Sequence, residues 1–167
     1  MQNHFELFQL PQRFAIDMGR LDRAYREVQN KVHPDKFVQA SEAEKRVAMQ
    51  WATRANEAYQ TLKKPLQRAR YLCELQGVDL QTESNTSMPG TFLMQQMEWR
   101  EAFDEARQKN DAAGMLRLER ELNSELRTQL QAVGEALDLG DYQQAAQQIR
   151  ACLFLEKFIT DIAALEE

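Results

Sequence analysis

The side chains best placed for chemistry fall together in "NKVHPDKF", residues 30–37, where His33, Pro34 and Asp35 are consecutive and Lys31 and Lys36 flank them. A histidine beside an aspartate could in principle pair a base with a carboxylate that orients it. The same segment offers no Ser, Thr or Cys to activate, and the chain has no Gly-rich phosphate loop and no paired carboxylate in an apolar setting. A loop between two helices also lacks the water-excluding pocket that catalysis needs. We therefore expect no enzyme activity and no catalytic residue. By residue type the tripeptide is a competent helix stop, because proline pushes its predecessor out of the α region and Asp favours turns. Its setting adds a second role. A convex tip carrying cations and hydrogen-bonding groups suits docking on an acidic protein surface.

The elements that must position this loop are helical. Asp17 can cap a helix whose apolar residues Met18, Leu21, Tyr25, Val28 and Val32 follow a 3-4-3-4 spacing. On the same wheel Arg20, Arg23, Arg26, Glu27, Asn30 and Lys31 fall on the opposite, mainly cationic face. A second helix starts at Ser41, where Glu44 completes a capping-box pattern, and its apolar positions are Val47, Trp51, Ala55, Ala58, Tyr59 and Leu62. The two predict an antiparallel hairpin with residues 33–35 at its tip. A short apolar turn, "HFELFQLP", precedes them, and "PLQRARYLCELQG" follows as a shorter helix with Pro65 in its first turn and Gly77 at its end.

Composition agrees with an all-α chain: 167 residues, 43% hydrophobic and 28% charged, with only six Gly and four Pro. No apolar run approaches the roughly 18 residues of a membrane span, and the N-terminus lacks the pattern of a secretory signal. Cys73 and Cys152 are isolated and far apart, so they predict free thiols in a reducing cytoplasm, with neither a disulfide framework nor a zinc site. Charge is uneven. Residues 1–77 hold 13 Lys+Arg against 9 Asp+Glu, and residues 78–167 hold 8 against 17. That asymmetry suggests two modules with different partners.

The Gly-, Ser-, Thr- and Pro-containing stretch "GVDLQTESNTSMPG" reads as the junction, with 78–90 as linker between units 1–77 and 91–167. The second unit predicts three helices, roughly 91–109, 112–139 and 142–165. Asp111 and Asp141 are candidate N-caps, Gly140 a residue past a helix end, and the short turns make an up-down-up bundle. The middle helix carries Leu118, Leu122, Leu126, Leu130, Val133 and Leu137 as its core stripe.

The first helix of this unit has two apolar faces. With Phe92 at zero, Trp99, Phe103 and Ala106 lie within about 40°, whereas Leu93, Met97 and Met94 fall at roughly 100°, 140° and 200°, joined by Arg100, Glu101 and Asp104. An apolar patch rimmed with charge and turned from the core suggests a protein-binding surface, to which methionines adapt well. In the last helix Tyr142, Ala145, Ala146, Ile149, Cys152 and Leu153 make the expected core stripe, with Phe154 and Phe158 turned away. A helix touching two neighbours has a wide stripe, so extra core is the competing reading of these faces.

The cationic helix, the His33-Pro34-Asp35 loop and the run "ANEAYQTLKKPLQRARYL" together resemble a J-domain. More narrowly, "HFELFQLP", "HPDKF", "FLMQQMEWREAF" and "CLFLEKF" resemble the HscB family of J-type co-chaperones of iron–sulfur cluster assembly, over essentially the whole chain. The resemblance implies a J-domain followed by a three-helix bundle. It implies that His33, Pro34 and Asp35, with Arg20, Arg23, Arg26, Lys31 and Lys36, dock on an HscA-like Hsp70 chaperone and stimulate its ATPase. It further implies that positions Leu93, Met94, Met97, Arg100, Glu101 and Phe154 engage an IscU-type iron–sulfur scaffold protein. ATP and its metal would belong to the partner. Eukaryotic relatives carry a cysteine-rich zinc module whose cysteines are missing here, so neither a metal nor a cofactor is expected.

Two other readings compete. A J-type co-chaperone for another client would keep the His-Pro-Asp loop and lose the patch. A nucleic-acid-binding helix over 17–33 would give a salt-steep affinity, but +4 over 77 residues is modest and the total is −5. We expect no nucleic-acid or membrane partner.

Overall fold

The computed structural model describes residues 2–80 and 88–165, and every regular element among them is helical. The chain divides into two compact units, Met1–Leu72 and Cys73–Glu167. Residues 81–87, the middle of the expected linker, lie outside the described residues.

The first unit comprises α1 (His4–Leu7), α2 (Met18–Lys31), α3 (Glu42–Lys63) and the start of α4 (Pro65–Leu75), within which the division falls. Asp17 caps α2 by accepting from the Arg20 amide at 3.2 Å, as its position predicted. Ser41 caps α3 through the Glu44 amide at 3.1 Å. The Glu44 carboxylate returns to the Ser41 hydroxyl at 3.2 Å, a local variant of the capping box. α2 ends at Lys31, with Val32 as its C-cap, just ahead of Pro34. α1 and α2 both pack on α3, burying Phe5, Phe8, Leu10, Leu21, Ala55, Ala58 and Leu62.

The stripe of α3 differs from the expected one at its start. Val47 and Trp51 are exposed, and Ala48 is buried. Alanines at 48, 55 and 58 let neighbouring helices approach closely, so the buried line of α3 follows small residues there. Trp51 instead lies under the Arg54 guanidinium, 4.9 Å from the ring centroid. In α2, Leu21 is fully buried, Tyr25, Val28 and Val32 are half-buried, and Met18 at the entrance is exposed.

Polar contacts fix the α2–α3 pairing. Tyr25 and Tyr59 stack with centroids 4.1 Å apart, the Tyr59 hydroxyl donates to Asp22 at 2.8 Å, and the Tyr25 hydroxyl donates to Asn56 at 3.1 Å. Its hydrogen bond to the Asp22 carboxylate raises the Tyr59 pKa above the usual phenol value. Arg68 is buried under this unit. Its Nε donates to the Phe14 carbonyl at 2.6 Å, Nη1 donates to the Leu62 carbonyl at 2.7 Å, and its guanidinium lies 5.0 Å from the Phe14 ring centroid.

The second unit holds α5 (Gly90–Gln108), α6 (Ala112–Asp138) and α7 (Tyr142–Leu165), within a residue of the expected bounds. Asp111 accepts from the Gly114 amide at 2.9 Å and Asp141 from the Gln144 amide at 3.1 Å, so both caps form as expected. Gly77 and Gly140, each at φ +75°, close the ends of α4 and α6 with the paired backbone bonds of a Schellman turn. Leu118, Leu122, Val133 and Leu137 are buried and Leu126 and Leu130 half-buried, as the middle-helix stripe predicted. Before α5, the Leu80 side chain is buried and its carbonyl accepts from the Arg150 Nε at 3.0 Å, so this part of the expected linker is docked on the bundle.

α7 corrects one expectation. Phe158 does not point away: it is buried in a cluster with Phe92, Trp99, Leu118, Leu122, Leu155 and Ile162. Leu153, placed in the core stripe by the wheel, is half-buried, while Ala151 and Leu155 are fully buried. A helix packed on both α5 and α6 buries well over half its circumference, so the stripe drawn for one neighbour was too narrow and rotated.

Candidate functional site

The His33-Pro34-Asp35 loop forms where α2 can no longer continue. His33 takes an extended ψ of 135° and becomes the N-cap of a 3₁₀ turn, Pro34–Phe37, with the proline at its first position. The His33 Nδ1 accepts from the Asp35 amide at 3.2 Å, and the His33 carbonyl accepts from the Lys36 amide at 2.9 Å. The Asp35 carboxylate lies 3.7 Å from Nδ1. All four residues from His33 to Lys36 are exposed, the Asp35 side chain by 90%. Local hydrogen bonds therefore hold the loop's backbone while its side chains face solvent.

Arg20, Arg23, Arg26 and Lys31 are all exposed along α2. Among the described residues, Arg23, Arg26, Lys31 and Lys36 form no ion pair, and Arg20 only donates to the Gln9 carbonyl at 3.3 Å. Reasoning from sequence missed an apolar groove of about 500 Å³ beside the loop, lined by Val32, Pro34, Phe37, Val38, Ala48 and Met49 among others. The signal was present: Phe37, Val38 and Met49 are apolar yet fit neither helical stripe.

On α5 the two faces separate as drawn. Phe92, Trp99 and Ala106 are buried and Phe103 half-buried, with the Trp99 indole N–H donating to Glu121 at 3.2 Å. Leu93, Met94 and Met97 are exposed by 50, 68 and 66%, with Arg100 and Glu101 exposed beside them. Phe154 belongs to both faces. Its ring packs edge-on against Phe92 at 5.8 Å and stacks on Phe158 at 5.7 Å, while the Arg100 guanidinium covers its outer side at 5.5 Å.

No group of three or more His, Cys, Asp or Glu among the described residues could hold a metal ion, and no helix there is long and apolar enough to cross a membrane. The free thiols Cys73 and Cys152 are both buried, and burial pushes their pKa values up to about 11 and about 12. Neither is poised for thiolate chemistry at neutral pH.

Comparison with known proteins identifies the family to which the chain is similar. Residues 88–163 match the family model "HSCB C-terminal oligomerisation domain". The chain is 54% identical to the co-chaperone protein HscB homolog of Bordetella pertussis over 165 residues, covering 98% of this chain and 96% of that one. It is 52% identical to the homolog of Burkholderia thailandensis over 162 residues, covering 97% and 93%. Among solved structures, the chaperone HscB from Vibrio cholerae superposes with a TM-score of 0.90 at 37% identity, covering 98% of each chain. The human co-chaperone protein HscB does so with a TM-score of 0.90 at 27% identity, covering 99% of this chain and 83% of that one. With an N-terminal J-domain and a C-terminal helical bundle, the chain belongs to the HscB family of co-chaperones.

Proposed function

We propose that this chain is a two-site adaptor for iron–sulfur cluster assembly. Its J-domain docks on an HscA-like Hsp70 chaperone and stimulates that chaperone's ATPase, and its helical bundle carries an IscU-type scaffold protein as client. The observation that carries the reading is that each unit presents one recognition surface unused by its own fold: the His33–Lys36 loop with the cations of α2, and the Leu93-Met94-Met97 patch of α5. The α2 cations, held on a rigid hairpin, would steer an acidic chaperone surface into register and raise the rate of encounter. His33, Pro34 and Asp35 then touch the chaperone, whose own site supplies ATP, its metal and the chemistry. On α5, burial of Leu93, Met94 and Met97 drives client binding, and Arg100 and Glu101 fix its register.

The scaffold arm is tested by titrating the cognate scaffold protein into wild type and into Leu93→Ala/Met97→Ala. Both side chains are largely exposed, so melting should move by less than about 0.5 kcal/mol. Affinity should fall tenfold or more, while stimulation of the chaperone ATPase without scaffold stays at the wild-type level. Unchanged scaffold affinity would instead favour a co-chaperone for another client. Phe154→Ala is the poorer probe, since it also opens the aromatic cluster with Phe92 and Phe158.

A further inference from the structure

A groove of about 530 Å³ runs between α5 and α7, floored by Phe103, Phe154, Phe158 and Ile162 and ending at Leu165. Four charged side chains line it: Arg100 and Asp104 from α5, Lys157 and Asp161 from α7. On each helix the cation precedes the anion by one turn. The two short turns reverse direction twice, so α5 and α7 run the same way, and the ring pairs Phe92–Phe154 and Phe103–Phe158 follow that sense. Along that shared direction, the cation of each helix therefore comes one turn before its anion. On a helix, a cation four residues ahead of an anion is the weaker order for pairing. Here, among the described residues, neither pair forms an ion pair, and the Arg100 guanidinium lies over the Phe154 and Phe158 rings instead. The groove thus has an apolar floor partly covered by Arg100, and among the described residues Lys157, Asp104 and Asp161 line it outside any ion pair.

We propose that this groove takes an amphipathic segment of the same client that docks on the α5 patch, and that it fixes the segment's direction. Its apolar side chains meet Phe154, Phe158, Ile162 and Leu165. Its acidic residues face Arg100 and Lys157, and its basic residues face Asp104 and Asp161. The occupant follows from continuity: Arg100 and Phe154 belong to both the patch and the groove, so a client seated on one reaches the other. The inference rests on the scaffold reading above and extends its footprint by about three turns of α7, to Lys157, Asp161, Ile162 and Leu165, which the sequence patterning did not single out.

The test is a swap that keeps composition and net charge, Lys157→Asp with Asp161→Lys, in the full chain. Both side chains are exposed, so the thermal midpoint should hold. Isothermal titration with the cognate iron–sulfur scaffold protein should show affinity falling about tenfold at low salt, with the difference shrinking as salt rises. Leu165→Ala should weaken binding severalfold at every salt concentration. Unchanged affinity in both variants, with Leu93→Ala/Met97→Ala still weakened, overturns the groove and leaves the patch standing. If the patch variant also binds normally, the scaffold reading fails and the groove proposal fails with it. A swap that alters self-association in sedimentation, and not scaffold binding, overturns it in favour of a second copy of this chain.

Discussion

Arg68 shows how one charged side chain can organise a small helical unit. Buried under the first unit, it donates to two backbone carbonyls, Phe14 at 2.6 Å and Leu62 at 2.7 Å. Arg68→Ala would strand the Leu62 carbonyl and free the loop ahead of α2, at a cost of about 3 kcal/mol. Urea melts followed through Trp51, in a Trp99→Phe background, would report that loss from the first unit. The thiols make a second prediction. Cys73 and Cys152 are held protonated to about 11 and about 12 by burial, so neither should react with a disulfide reagent at pH 8 until the protein is denatured. An unfolded thiol ionises near 8.5, so the unfolded chain sheds these protons first and stability falls as pH rises beyond about 9. An alkaline melting series on wild type and Cys152→Ala would check the sign, with a shallower decline in the variant. The exposure of Arg20, Arg23, Arg26 and Lys31, and of Leu93, Met94 and Met97, was legible at this scale because exposure follows from the wheel. Phe158 was not, since an aromatic on the margin of a stripe can belong to a second neighbour that the wheel does not contain.

Helices here begin and end by local chemistry, which is why their bounds could be read from sequence. Asp17, Ser41, Asp111 and Asp141 all accept from an amide three residues on. The start of α6 permits a sharper test. A Cβ added at Gly114 would sit 2.9 Å from the Asp111 Cγ, and closer still to its Oδ2. Gly→Ala in an exposed helix ordinarily gains up to about 1 kcal/mol. At this position it should gain nothing, because it displaces a cap worth about the same. Asp111→Ala alone should cost about 1 kcal/mol, and adding Gly114→Ala to it should recover most of that loss. Thermal melts of the four proteins would close this cycle. What the periodicity could not give was the start of the buried line of α3. The wheel picks Val47 and Trp51 there, whereas Ala48 is the buried residue; further on, Ala55, Ala58 and Leu62 are buried as the wheel drew them. That choice depends on partners far along the chain.

At the scale of the whole molecule, charge is divided unevenly between the two units. The J-domain carries the excess of cations and the bundle the excess of acids, so the two surfaces should respond differently to ionic strength. On the proposed function, chaperone docking through exposed cations should weaken as salt screens them, whereas client docking on Leu93, Met94 and Met97 should depend chiefly on apolar area. The central claim is that the His33-Pro34-Asp35 loop works on a partner's ATPase and supplies no chemistry itself. The most direct measurement is the steady-state ATPase rate of the cognate HscA-like chaperone with wild type and with His33→Gln, each shown to melt at the same temperature and bind the scaffold equally. Wild type should stimulate severalfold and His33→Gln should leave the rate at its basal value. Equal stimulation by both would contradict the account.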